Sequence, residues 1–595
     1  MADVFRLTDT RPLVDCAMGR IPAELVIRNG QWVCVQTGEI IPHTDIAILG
    51  GRIAFVGSDA SHTIGENTRV IEAAGRFLVP GLLDAHMHVE SGMLTVTEFV
   101  RAVLPHGTTG MFVDPHEIAN VFGLKGVRMM ADEALLQPIH VFVQVPSCVP
   151  SAPGLETSGA VIGPAEVAEA LAWEGVIGLG EMMSFPAVIA GDDAIHAELT
   201  ATRISGKVIG GHFPMQDLGM PFHGYAAGGI MDDHEGTRKE DAIARARQGM
   251  KVMMRYGSAW HDVAEQVRAI TENGLDPRMF LLCTDDSHSA TLVAEGHMDR
   301  VVRFAISQGI SPILAIQMAT INTAEHFGVS REIGMIAPGR YADILLVNDL
   351  ELFTVDTVIA KGLVAVEKGQ LTLSFPSPSR PDWATHSVQL PRPLGAADFR
   401  LFSNRNPVAD AHVIGIIENQ APTRHLKIQL PVVNGEVCAD LENDIAKLAL
   451  IDRHHGTGDV QVALVHGFGF TQSCAVASTV AHDSHHLLVV GTDEDNMAVA
   501  ANILAQSGGG QVVVRDGKII GKVDLPVGGL MSNLPAAQVA RQVETVLQGF
   551  RECGCNLNNP NMQLSLLALV VIPELRISNQ GLVDVSTFSH IPVLE

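Results

Sequence analysis

No run of Lys and Arg long enough to grip a phosphate backbone occurs in the 595 residues, and acidic side chains outnumber basic ones by 66 to 40. Proteins that bind nucleic acid do so largely through clustered cations. A formal net charge of -26 therefore argues against nucleic acid as a partner. Long apolar runs are missing too. The LLALVVI stretch at 566–572 falls well short of the roughly 20 residues that span a bilayer. The opening MADVFRLTDTRPLVDCAMGR lacks the apolar core of a secretion signal. Together these absences lead us to expect a soluble cytoplasmic protein with no membrane partner. Aromatic residues are scarce at 5%, whereas glycines number 57, a balance that suits close helix–sheet packing in an α/β enzyme. The eight cysteines are scattered, which excludes a disulfide framework in a chain this long. Cys553-Gly-Cys555 has no second close pair to complete a soft-metal site.

The length allows two to four domains. Residues 24–57 show short apolar strands broken by Asn-Gly and Gly-Gly, and the same texture returns at 341–372. Between them eight apolar runs alternate with helical stretches: RFLVPGLLDAH, TTGMFVD, IHVFVQV, VIGLGE, GKVIGGH, GIMDDH, KVMMR and FLLCTDD. Such alternation implies parallel strands with crossover helices, here a (β/α)8 barrel. The two β-rich flanks can pair into one small sheet domain. A Pro- and Ser-rich stretch at 374–393 reads as a linker. The expected division is 1–79 plus 336–375 for the flanking β domain, 80–335 for the barrel and 376–595 for a further α/β domain.

The stretch PGLLDAHMHVESG holds His86 and His88 two residues apart, so in a strand both face one side and can share a metal ion. Five of the other runs lead into polar residues as well. The second gives Asp114, followed by His116 and Glu117; the fourth gives Glu181; the fifth His212; the sixth His234 and then Glu235; the eighth Asp285 and Asp286. In a barrel all these ends meet at one rim, where active sites of this fold are built. Any one of them alone reads as a loop polar group. Four histidines and two carboxylates together make a set that can hold two divalent ions.

This pattern resembles the amidohydrolase superfamily. Its members carry His-x-His on the first strand, a bridging carboxylate on the fourth, single histidines on the fifth and sixth, an Asp on the eighth, and a β-sandwich built from both flanks. Many use a carboxylated lysine as the bridge. The segment VIGLGEMMSFPAVIAGDDAIHAELTATRISG contains no lysine, which leaves Glu181 as the bridge. Within the superfamily DAHMHVESGML, TTGMFVDPHEIANVFG, GHFPMQDLGMPFHGYAAGGIMDDHEGT and CTDDSH are similar to the bacterial adenine deaminases, and the C-terminal part is similar to the extra domain of that family.

The resemblance implies hydrolysis of adenine to hypoxanthine and ammonia, with adenine the small-molecule partner. It implies His86, His88 and Asp285 on one ion, His212 and His234 on the other, and Glu181 between them, with Mn(II) or Fe(II) favoured over Zn(II). The expected reaction has a metal-bridged hydroxide attack C6 while Asp285 relays its proton to the leaving amine. Glu235, Glu117 and His116 all stand open as the proton donor to N1. Glu90, two residues past His88, reads as a supporting polar contact rather than a further ligand. The alternatives are another hydrolase of cyclic amides or purines on the same barrel, and a non-catalytic, metal-free barrel protein. The missing lysine disfavours a dihydropyrimidinase-like enzyme, and none of the six ligand positions is lost. A homodimer is expected only because large barrels often pair. HDSHH at 482–486 reads as a polar loop ahead of a second metal site or a wall over the barrel mouth, and His454-His455 reads as a solvated turn.

Overall fold

The computed structural model describes residues 9–258, 260–376, 378–405 and 407–595. The first eight residues of the opening stretch, and position 377 of the linker, lie outside them. Each of the eight runs contributes a strand. β1 (Leu82–His88), β2 (Thr108–Val113), β3 (His140–Val145), β4 (Val176–Met182) and β5 (Val208–Gly211) lie side by side and parallel. β6 (Asp232–Asp233), β7 (Lys251–Arg255) and β8 (Phe280–Cys283) form a second parallel sheet. β9 (Asp285–Asp286) continues β8 and pairs with β1, Asp285 opposite Met87 and Asp286 opposite His88. On the other side the Met231 N–H donates to the Ile209 carbonyl at 2.9 Å, so the two sheets join into a ring.

β1 to β5 are buried along their whole length, which is why they read as continuous apolar runs rather than alternating ones. Inside the ring Leu83, Phe112, Phe142, Met253 and Leu281 pack with Phe327, whose ring stacks on Phe112 at 3.8 Å. That filled interior leaves only the strand ends for chemistry.

Strand Phe77–Pro80 runs straight into the barrel, and Ile344–Val347 follows the barrel's last helix. These two pair antiparallel, Ile344 opposite Pro80 and Val347 opposite Phe77, inside one nine-stranded sheet built from both flanks. Residues beyond 400 form a ten-stranded sheet and a separate three-stranded one. The C-terminal part is stitched to the barrel by backbone bonds: Thr95 N–H to Ser532 O at 3.2 Å and Ser532 N–H to Met93 O at 2.9 Å. Helix Ala536–Glu552 also packs on the barrel helix Ser289–Ala294. No helix among the described residues is long and apolar enough to cross a membrane.

Helix Asp193–Ser205 shows how local rules set an element. The Asp192 carboxylate accepts from the Ala194 and Ile195 N–H groups, and Gly206 ends the helix in the left-handed region at φ 70°. On its inner face Glu198 is buried, and one carboxylate oxygen has no hydrogen-bond partner among the described residues. Burial, helped by Asp192 and Glu166, pushes the Glu198 pKa up to about 8. The unfolded chain ionises this group near 4.5, so native stability falls as pH rises from there to about 8 and then levels off. Glu198→Gln is expected to leave stability at pH 4 unchanged. At pH 9 it should raise it by on the order of 2–4 kcal/mol. Thermal unfolding at both pH values tests this; an equal shift at both would remove the ionisation argument.

Candidate active site and metal centre

The rim groups expected from the strand ends come together in space. Glu181, at the end of β4, stands at their centre. Its Oε2 faces His212 Nδ1 at 2.7 Å and His234 Nε2 at 3.1 Å. Its Oε1 faces His88 Nε2 at 3.4 Å and His116 Nδ1 at 3.2 Å. Asp285 Oδ1 lies 3.2 Å from His88 Nε2 and 3.9 Å from His86 Nε2. The donor atoms of His86, His88 and Glu181 lie within 4.8 Å of one another, as do those of Glu181, His212 and His234. Two histidine sets thus share one carboxylate.

Several neighbours fix these donors. His88 Nδ1 donates to the Asp114 carbonyl at 2.8 Å, which leaves Nε2 free to face the carboxylates. The Asp114 carboxylate in turn accepts the Glu181 N–H at 2.8 Å. His86 and His234 stack at 4.0 Å. Asp285 sits in the left-handed region at φ 61°, unusual for a non-glycine residue. Asp84 buttresses that bend by accepting from the N–H and hydroxyl of Thr284 at 3.1 and 2.6 Å.

Glu181 and the imidazoles around it set one another's charge. Burial alone would drive the Glu181 pKa up, but hydrogen bonds from His116, His212 and His234 hold it well below the carboxylate range. Burial would likewise lower His116 and His234, yet Glu181 raises them to about 10 and about 9. His86 is held well below the imidazole range by burial and by its His234 and His88 neighbours. Its buried Nε2 has no hydrogen-bond partner among the described residues. A neutral, unpartnered imidazole nitrogen beside ionised carboxylates is a ligand waiting for a metal, and the mixed His and carboxylate set fits divalent cations.

The three groups left open as proton donors separate. Glu235 pairs with the Arg255 guanidinium; burial opposes its ionisation, but Arg255 keeps its pKa low. His116 is committed to Glu181. Glu117 is buried beside Ser91 Oγ at 3.3 Å, with His485 Nε2 at 3.8 Å. Burial, then Glu90, pushes its pKa up to about 8. Glu90 spends one oxygen on the Ile118 N–H at 3.2 Å.

One strand-end residue lies outside the expected set. Arg255 closes the KVMMR run and reaches Asp285 Oδ2 at 3.0 Å and Asp262 Oδ2 at 2.8 Å besides Glu235. The same logic that singled out the histidines would have found it.

Two expectations need correction. HDSHH is no polar loop: Asp483, Ser484, His485 and His486 are buried against the barrel, with Asp483 Oδ1 4.0 Å from His116 Nε2. The His454-His455 turn is solvated on one side only: His455 is exposed and His454 half-buried, but the chain just before them is not. Arg453 is fully buried and donates to carbonyls of His485, Ser387 and Gly528. Neither burial was legible locally, because the covering surface comes from distant segments.

Residues 77–365 match the amidohydrolase family, and residues 420–589 match the adenine deaminase C-terminal domain. An adenine deaminase of Mesorhizobium japonicum is 60% identical over 97% of this chain and 96% of its own. Adenine deaminase 3 of Rhizobium meliloti is 58% identical over 98% of both chains. An adenine deaminase of Moorella thermoacetica is 50% identical, again over 98% of both. With the amidohydrolase segment, the C-terminal domain and nearly the whole length matched, the chain belongs to the adenine deaminase family of the amidohydrolases.

Proposed function

We propose that this chain hydrolyses adenine to hypoxanthine and ammonia at the barrel rim. The observation that carries the reading is Glu181 shared between His86–His88 and His212–His234, with Asp285 at hand. The proposed ligands are His86, His88 and Asp285 for one divalent ion, His212 and His234 for a second, and Glu181 for both, with Mn(II) or Fe(II) ahead of Zn(II). Such ions, when bound, supply the Lewis acidity that makes water a competent nucleophile near neutral pH.

The chain's own groups do the rest. Asp285, kept ionised by His88 and Arg255 against the pull of burial, takes the proton released from water and returns it to the departing amine. Glu117, still protonated at pH 7, donates to N1, makes C6 electron-poor, and regains a proton from the C6 hydroxyl as it becomes the carbonyl. Glu235 and Arg255 hold Asp285 and the His212–His234 pair in register. The domain division at 79/80, 335/336 and 375/376, a cytoplasmic location and homodimerisation belong to the same proposal.

Protein loaded with Mn(II) is expected to release one ammonia per adenine consumed. Activity should fall to background after chelation and return when Mn(II) is added back. A fully metal-loaded protein that releases no ammonia from adenine overturns the reading. Sedimentation gives the oligomeric state separately.

A further inference from the structure

A cavity separates the barrel rim from the C-terminal domain. Glu90 and Glu117 line it from the barrel, and His482, Gln511, Val543 and Leu547 from the other side. Gln511 lies in strand Gly510–Arg515, directly opposite Ser478. Its amide nitrogen donates to Ser478 Oγ at 3.3 Å, which fixes the orientation of the amide. Its Oε1 is buried, with no hydrogen-bond partner among the described residues, and the residue is only 2% exposed. Burying an unmet acceptor is costly, so a partner is expected to reach it.

The geometry points to the purine itself, and this inference rests on the functional reading above. On that reading adenine enters this cavity with N1 toward Glu117, the proposed N1 donor, which lines it. Its five-membered ring then faces the opposite wall, which the C-terminal domain supplies. That ring carries one N–H, and Gln511 Oε1 is an acceptor with none. We propose that Gln511 accepts the imidazole N–H of adenine and so makes the enzyme select the free base. A nucleoside, or any N9-substituted purine, lacks that N–H. It would also bring its substituent against the apolar Val543 and Leu547 wall. The C-terminal domain is then part of the substrate site.

The test uses the full-length, Mn(II)-loaded protein with Gln511→Leu, which removes the acceptor at similar size, and Gln511→Glu, which retains an acceptor oxygen. KM for adenine should rise about tenfold in the Leu variant, with kcat within about threefold of the parent, since one buried hydrogen bond is worth about that factor. The Glu variant should recover most of the loss. The parent should bind 9-methyladenine at least about tenfold more weakly than adenine, and the Leu variant should narrow that gap. A Leu variant with parental KM and parental metal content overturns the proposal. So does a parent that binds 9-methyladenine as well as adenine, a result that needs no variant to fold. A parent inactive on adenine fails the functional reading instead; an active parent with an unmoved Leu variant fails this inference alone.

Discussion

Glu181→Gln, prepared with saturating Mn(II), is expected to lose at least about 100-fold in kcat and to bind markedly less metal than the parent. The reason is its position. Both Glu181 oxygens are engaged, one by His212 and His234, the other by His88 and His116. An amide presents one acceptor oxygen and one donor nitrogen. It must turn its NH2 toward one histidine pair, and it carries no charge to offset two cations. Metal analysis alongside ammonia release separates lost ligation from lost chemistry. A variant holding the parental metal content and rate would show that Glu181 is a neighbour and no bridge.

Arg245→Met is the second large effect, and it acts at a distance from the reaction. Arg245 Nε pairs with Asp233 Oδ1 at 2.8 Å with both side chains essentially buried. Its Nη2 donates to the Phe213 carbonyl at 2.8 Å. Phe213 follows His212, Asp233 precedes His234, and Asp233 Oδ1 also accepts the Glu235 N–H at 2.8 Å. One guanidinium therefore steadies the backbone beside two proposed ligands and Glu235. Removing it leaves Asp233 charged and unpaired, at a cost of about 3–5 kcal/mol. Denaturant unfolding should show that loss, and metal titration should show one of the two sites weakened more than the other. If stability falls while both sites titrate as in the parent, Arg245 supports the fold only.

The barrel and its rim were legible because most of the barrel strands run from an apolar stretch into a polar residue, so topology alone gathers His86, His88, Glu181, His212, His234 and Asp285. What could not be read were partnerships between remote segments. Arg245 is ten residues past Glu235 and looks like one more surface arginine on KEDAIARAR, yet it is buried. The buried 482–486 segment and Arg453 carry every local sign of exposed loops. Barrel loops cover the first from more than 300 residues away, and Arg453 is enclosed by Ser387, His485 and Gly528 of the C-terminal part; polarity patterns carry no information about which surface will cover either. Gln511 gave no signal at all, since a glutamine in a valine-rich strand is marked only by the oxygen it leaves unmet.

The antiparallel pairing of Phe77–Pro80 with Ile344–Val347 also has a consequence for synthesis. The first strand leaves the ribosome more than 260 residues before its partner. At about 5–20 residues per second, it waits on the order of ten seconds to a minute with an apolar edge unpaired. Within that interval the barrel strands it leads into can already form, so the nascent chain carries its riskiest surface while its most local contacts assemble. Production at lowered temperature, or with a holding chaperone in excess, protects that edge, and soluble yield should respond to it more than to changes at the metal ligands.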